Sequence, residues 1–370
     1  MPATTKIPGS PAQKPRASTF SAPDDSEEVF ELFDKEGWTD GNPIIEPTVK
    51  RVDRFLRYVQ DSLARDPAEV LGVMTPAMGE TTIEKVAINA VMAGCRPEYM
   101  QILIPAAELM CRHGDQMMLQ FGSHTQHLWM IVNGPIRQEL NIQTGENGEA
   151  GGWRANMTMM RALRLLEHNC GGSVFSGKHS FGWVGAYVAC LSENEEASPW
   201  EPYHVQRGFS KDQSTVTILN VEPPKHLELG RWAYTAAELL AGFGDSMSTV
   251  GNRFAYGEYH IIVILGKDHA NHLASAGFSK RDVQRFWFEH ARTPYSKFGP
   301  NARDGFMEEW KKFYTFGPHA MVPMAASPDQ FHIFVCGGPG PNSLFTGMQR
   351  GGVPIAPILA ATKPIAEARK

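Results

Sequence analysis

Five short runs constrain this chain more than anything else in it: HLWMIV (127–132), GWVGAYVA (182–189), STVTIL (214–219), HIIVIL (260–265) and FHIFV (331–335). They read as strands that are apolar on both sides, and such strands need cover on both faces of their sheet. The stretches between them carry helical spacing. TTIEKVAINAVMAG sets Ile83, Val86, Ala87, Ala90 and Val91 on one face, with a Thr81-x-x-Glu84 capping box before them and Gly94 as the stop. MTMMRALRLLEHNCGG reads as a buried helix ended by Gly171 and Gly172, and WAYTAAELLAGFG reads similarly. SKRDVQRFWFEHAR opens on Ser279-x-x-Asp282 and puts Val283, Phe286 and Trp287 on one side. This alternation predicts an α/β fold, with layered helices around short, largely buried strands.

One internal echo suggests two pseudo-equivalent halves. HLWMIVNGPIRQELNIQTG and HIIVILGKDHANHLASAG both read apolar strand, Gly, helix-like segment, Gly. The interval from Gly134 to Gly145 equals that from Gly266 to Gly277. The simpler alternative is that βα turns commonly look alike. We therefore expect one α/β body over 28–370, divisible into halves 28–175 and 176–370. Residues 1–27, rich in Pro, Ser, Thr and Lys with little to bury, are expected to form a disordered arm.

Composition narrows the function classes. Thirty-five Lys and Arg against forty Asp and Glu leave a net charge of −5, with no basic block to suit a nucleic-acid groove. No apolar run is long enough to span a membrane, and the N-terminus has no apolar signal core, so a cytoplasmic protein is expected. The five cysteines are scattered, with no CxxC pair, which argues against both a disulfide scaffold and a zinc ribbon.

Four polar clusters sit just after expected strands: Asn133 to Arg137, Glu193 to His204, Gly266 to His269, and Cys336 to Gly340. Parallel strands would bring such loops together at one end of the sheet. The second cluster, ENEEASPWEPYH, is the richest in chemistry. Carboxylates beside a stiff Trp200 can be desolvated, which suits general acid–base work by Glu193, Glu195 and His204. The same Glu and His groups could instead hold a divalent metal, or form a solvated loop. No cofactor is predicted. His124-x-x-His127 does not make a metal pair by itself, because on an extended segment the two side chains point to opposite faces. Arg154 and Arg161, at and inside a helix behind a glycine-rich entrance, suit an anionic group on a substrate, and Asn156 suits the helix cap. Asn133 and Asn156 are candidates to orient a carbonyl or amide. FVCGGPGPNS lacks the pattern of a nucleotide loop. Cys95, next to Arg96, is the cysteine whose thiol a neighbouring cation could activate.

GWTDGNPIIEPTVKRV, VAINAVMAGCRPEYM, IVNGPIRQELNI, WRANMTMMRALRL, ENEEASPWEPYHVQRGF and GKDHANHLASAGFSKRDVQRFW together resemble a bacterial group whose sequences accompany, or are fused to, thiol/selenol UGSC-type proteins. The resemblance runs from about Gly37 to the Cys336–Gly340 turn. It implies a small-molecule enzyme or a subunit of one, working with a partner that supplies a thiol or selenol. This chain has no UGSC or CGSC segment of its own.

The resulting expectation is acid–base chemistry of lyase or hydrolase type on a small polar or anionic substrate. Glu193, Glu195 and His204 would move protons, Arg154 and Arg161 would hold an anionic group, and Trp200 would form a wall. The chain is expected to be a homo-oligomer. A thiol-dependent redox subunit, using Cys95 or the partner's selenol, and a non-catalytic binding protein are the alternatives.

Overall fold

The computed structural model describes residues 17–114, 127–146, 152–172, 190–230, 234–257, 259–305, 308–311, 315–349 and 352–362. Helices α1 (Ser26–Lys35) and α2 (Val49–Leu63) precede a hairpin of β1 (Val70–Met74) and β2 (Gly79–Thr82), followed by α3 (Ile83–Ala93) and α4 (Met100–Arg112). Next come β3 (His127–Asn133), α5 (Arg154–Gly171), β4 (Cys190–Ser192), β5 (Thr215–Val221) and β6 (Lys225–Glu228). The chain continues through α6 (Ala236–Met247), β7 (Tyr259–Gly266), α7 (Lys267–Ser275) and α8 (Lys280–His290). It ends with a small β8 (Arg292–Pro294) and β9 (Met321–Pro323) pair, then β10 (Phe331–Cys336), β11 (Asn342–Gln349) and β12 (Ile355–Pro357). The fold is α/β, as the alternation predicts.

Local chemistry accounts for many of the element boundaries. Ser279 and Asp282 form the expected capping box at the start of α8, and Thr235 with Glu238 forms another on α6. The box expected at Thr81 does not form, and a single cap one residue later replaces it. Thr82 caps α3 by accepting from the Lys85 N–H, while Thr81 belongs to β2. Gly94 and Gly172 end their helices in the left-handed conformation that glycine adopts without strain. GWVGAYVA lies outside the described residues. The arm also ends earlier than 27: Asp25 caps α1, and the Phe20 ring packs at a tilt against Phe33 and Trp38.

The main sheet runs β10-β7-β11-β5-β3-β4, and it is mixed. Strand β3 is parallel to β4 and antiparallel to β5. Strand β7 is parallel to β10 and antiparallel to β11. The same three-strand unit is therefore used twice, and the units meet antiparallel where Met348 pairs with Val221. The first glycine of each echo segment occupies a matching place, while the second does not: Gly277 takes a left-handed conformation and Gly145 does not. A Cβ on Gly134 would lie 2.6 Å from Ser214 Cα, and one on Gly266 would lie 2.1 Å from the Asn342 carbonyl oxygen. Each turn also donates a backbone N–H to a serine hydroxyl beside it, Ile136 to Ser214 and Gly266 to Ser343. The repeat boundary falls between β5 and β7. A cut at 175/176 would separate β3 from both strands that pair with it.

The two ends of the sheet approach each other. The Asn194 N–H, just past β4, donates to the Val335 carbonyl of β10 at 2.7 Å. The sheet thus curls into a barrel-like body. Its interior holds Trp129, Ile131, Leu191, Leu219, Ile262, Ile264, Phe334 and Met348, contributed by all six strands. The opposite faces carry helices. Leu128, Met130, Val216 and Ile218 pack with α3, α4 and α5, while Ile261, Val263, Phe331 and Ile333 pack with α6, α7 and α8. This is why the strands are apolar on successive residues. No helix among the described residues is long and apolar enough to cross a membrane.

Candidate functional site

Because the sheet is mixed, the four strand-end clusters do not converge as parallel strands would make them. They form a chain of contacts instead. Asn133 bonds to Glu193 and Glu195, the Asn194 side-chain amide donates to the Gly337 carbonyl, and the Gly340 N–H donates to Asp268. The first two clusters, joined at the ends of β3 and β4, make the densest group of buried ionisable side chains described.

Glu193 is fully buried and serves as a fastening. Its Oε2 accepts from the Asn133 amide at 2.7 Å and the Tyr203 N–H at 2.8 Å. Its Oε1 accepts from the Val335 N–H at 3.2 Å and from the Lys280 ammonium at 3.5 Å. One carboxylate therefore ties β3, β4, β10 and α8 together. This arrangement does not fit the proton-transfer role expected of Glu193, because both oxygens are already engaged by donors of the protein's own frame.

Glu195 is placed differently. Its Oε1 accepts from the Gly134 N–H at 2.7 Å and from Asn133 at 3.1 Å, and Oε2 lies 3.2 Å from the Arg137 guanidinium. Gly134, at φ +87, presents that N–H from a turn packed too closely against Ser214 to admit a side chain. Oε1 is also 3.9 Å from His204 Nδ1. His204 is fully buried, and neither of its ring nitrogens makes a hydrogen bond to another described residue. A buried imidazole without hydrogen-bond partners is unusual, since such polar groups are nearly always satisfied.

Arg137 organises this end of the barrel. It donates to the Gly134 and Glu193 carbonyls at 2.8 and 2.7 Å, and to the Glu196 carboxylate at 2.9 Å. Those hydrogen bonds from Arg137 hold the Glu196 carboxyl below its ordinary range. Neither Arg137 nor Lys280 is among the residues expected to form the site. Arg137 stands within the quoted Asn133-to-Arg137 cluster, but its partner Glu196 is 59 positions away in sequence. Lys280 reaches Glu193 across 87 positions from the first turn of α8.

The remaining candidates are committed elsewhere. Arg161 grips the Asp40 carboxylate at 2.8 and 2.9 Å and donates to the Asn42 and Pro43 carbonyls, which pins the segment after α1 and leaves no fork for a substrate anion. Burial would raise the Asp40 carboxyl, but the bonds and charge of Arg161 outweigh it and hold that carboxyl low. Arg154 donates to the Gly94 and Cys95 carbonyls and fastens the end of α3. Asn156 does not cap its helix, which begins at Arg154. It bridges the backbone of Gln143 and Cys190. Trp200 donates its indole N–H to the Phe278 carbonyl and packs with the helices outside β7 and β10. Cys95 is buried, and burial pushes its thiol up to about 12 despite the nearby Arg154 and Arg161. That is the opposite of the direction expected from Arg96. His124 lies outside the described residues, and His127 is buried on β3. Among the described residues, no three His, Cys, Asp or Glu side chains are grouped to hold a metal ion.

Inside the barrel, Tyr203 Oη lies 2.9 Å from His332 Nδ1, and His332 Nε2 lies 2.8 Å from His260 Nδ1. Burial holds both imidazoles below their ordinary range, His332 far below; the charge of Arg207 adds to the effect on both, and His260 adds to it on His332.

Comparison of the chain with protein-family models, with curated proteins and with solved structures finds no match.

Proposed function

We propose that the chain is an enzyme that moves protons on a small polar substrate, in a reaction of lyase or hydrolase type, at the joined ends of β3 and β4. The observation that carries this reading is the Glu195–His204 pair. A fully buried imidazole with no hydrogen bond among the described residues stands 3.9 Å from a carboxylate that Arg137 and the Gly134 N–H hold in place. In that arrangement His204 takes the proton as base and Glu195 stabilises the imidazolium that forms, while Arg137 fixes Glu195. Glu193 and Asn133 keep the frame rigid. The resemblance to the UGSC-associated group supports small-molecule chemistry, and a thiol- or selenol-bearing partner remains part of that proposal.

The test is a screen by ¹H NMR for hydration, dehydration or hydrolysis of pooled small hydroxylated, ester and amide compounds. It is followed by rates for Glu195→Gln and His204→Asn. A loss of about a hundredfold or more in both, with unchanged unfolding midpoints, supports the reading. Rates equal to the parent's would reject it.

A second reading, small-molecule binding without catalysis, is favoured by a cavity of about 450 Å³ beneath residues 17–22, lined by Phe20, Phe33, Trp38, Val52, Leu56 and Ile88. Its size is that of an ordinary ligand pocket. Quenching of Trp38 fluorescence by an apolar probe, abolished in Ile88→Trp, would favour this reading.

A further inference from the structure

Helix α2 carries more apolar surface than the core takes up. Its spacing sets Val52, Phe55, Val59 and Leu63 against the core, while Val49 and Leu56 continue from Val52 along a second stripe. Val49 is 53% exposed and Leu56 is half-buried. Ile88 of α3 is left half-buried in the same way, although its neighbours Val86 and Ala87 are covered. All of these side chains line the cavity of about 450 Å³ beneath residues 17–22, except those turned to the core. Packed interiors leave few voids larger than a water molecule, so a space of this size belongs to the design of the fold.

One part of the lining is aromatic. Phe33 and Trp38 meet edge to face with centroids 5.3 Å apart, and Phe20 of the covering segment lies 5.5 Å from Trp38. Phe20 is 54% exposed and Trp38 37%, so both rings keep free surface.

The polar groups around the cavity are already engaged. Glu46 pairs with Arg51 and Asp53 with Arg57, while the Lys85 ammonium donates to the Glu80 carbonyl. Asn169 donates to the Asn89 side chain at 2.8 Å and to the Trp38 carbonyl at 3.1 Å, and Asn89 donates to the Lys85 carbonyl at 2.9 Å. The buried Glu84 has a partner as well. Thr48 caps α2, and Ser18 and Thr19 are exposed to solvent. Burial pushes the Cys170 thiol up to about 11, so it stays uncharged. The lining carboxylates Glu46, Asp53 and Glu84 are thus matched in number by Lys85, Arg51 and Arg57. Among the described residues, none of the buried polar atoms without a hydrogen bond belongs to a lining side chain.

We infer that this cavity binds an uncharged, apolar ring compound, held against Phe20, Phe33 and Trp38 and the aliphatic side chains of Val52, Leu56 and Ile88. The inference rests on the small-molecule-binding reading of the cavity, names its ligand class, and holds whether or not the chain also catalyses a reaction. A charged group would enter without a partner of its own, which costs more than a neutral group of the same shape. An aromatic ring adds edge and offset contacts with the three rings to the area it buries.

The experiment is fluorescence titration of the full chain with N-phenyl-1-naphthylamine, a neutral ring probe that brightens in apolar surroundings. Displacement by 2-methylnaphthalene, 2-naphthoate, 2-naphthylmethylamine and n-octane follows. Saturable binding is expected, with 2-methylnaphthalene displacing the probe at concentrations about tenfold or more below either charged analogue. Ile88→Trp, which fills the space, should weaken binding by more than about tenfold. Phe20→Ala, at an exposed position, should weaken it about three- to tenfold. Urea midpoints show whether Ile88→Trp is folded; if it is not, Phe20→Ala decides. Equal or tighter binding of a charged analogue, lost in Ile88→Trp, would overturn the ligand class and leave the binding reading standing. Displacement by n-octane as effective as that by 2-methylnaphthalene would do the same. No saturable binding, or binding unchanged in the folded variants, would overturn both. Two other occupants would also refute the inference. A probe that binds only after residues 1–16 are removed assigns the cavity to the chain's own start, and a dimer that expels the probe and that Val49→Glu dissolves assigns it to a second copy.

Discussion

Replacing Glu193 by alanine should damage stability far more than any other single change at the candidate site. The variant leaves the Tyr203 and Val335 N–H groups buried with no acceptor, at about 1–3 kcal/mol each. It also strips the carboxylate from the Lys280 ammonium, itself buried, and breaking a buried pair on one side costs about 3–5 kcal/mol. Asn133 keeps its bond to Glu195, and Lys280 keeps the Glu201 carbonyl, which softens the sum. We expect a loss of about 5 kcal/mol or more, comparable with the whole stability of many domains. Lys280→Met should cost less, because three N–H donors still hold the carboxylate. The two changes should be non-additive by about 0.5–3 kcal/mol, as expected for groups in direct contact. Urea unfolding followed by far-UV circular dichroism measures all three variants, with the slope checked for constancy. If Glu193→Ala stays within about 1 kcal/mol of the parent, the claim that this carboxylate fastens the seam is wrong.

Further expectations can be checked in the same way. Arg161→Lys should lower stability by about 1–3 kcal/mol through loss of its fork on Asp40, and leave any turnover unchanged; a fall in turnover at constant stability would return Arg161 to the substrate. Cys95 should resist iodoacetamide at pH 8 in the folded chain and react on unfolding, and labelling at the rate of a free thiol would contradict its burial. His260 and His332 are held neutral by burial, so they contribute stability above the ordinary imidazole value of about 6.5, and that stability fades as pH falls below it. Urea midpoints measured from pH 8 down to pH 5 should show this decline, and His332→Phe should flatten it. Gly134→Ala should destabilise by more than about 2 kcal/mol, because a methyl group would strike the Ser214 backbone; an unchanged urea midpoint would contradict that packing.

Much of the fold is legible because it is local. Apolar runs mark β3, β5, β7 and β10, the capping box on Ser279 opens α8, and Gly94 and Gly172 close their helices. Strand direction is not local, and the sheet is mixed, so the condition under which the strand-end loops would all converge is not met. Nothing in HIIVIL says that it runs antiparallel to NSLFTGMQ, which itself shows little apolar pattern. The candidate site divides along the same line. Asn133, Glu195 and His204 come together because the loops after β3 and β4 are rich in the right groups and their strands are neighbours. Arg154 and Arg161 look like anion binders because a sequence displays the guanidinium and hides what it grips. Asp40 and the carbonyls that occupy them lie far off in the chain. Lys280 is invisible for the opposite reason, being an ordinary first-turn lysine until the fold seals it against Glu193.

Two minor strands have a consequence for how the molecule can come apart. Strand β6 leaves the first repeat to lie against β11 of the second, and β12 leaves the second to lie against β5 of the first. The tail goes on to donate from Leu359 to the Gln101 carbonyl and from Thr362 to that of Ser62. Each repeat is thus buckled by the other's trailing end, like two people each holding the other's belt. Trimming the last residues should loosen the first half of the molecule rather than the last. A chain nicked between β6 and α6 should stay joined, because neither piece can leave without surrendering a strand that its companion is using.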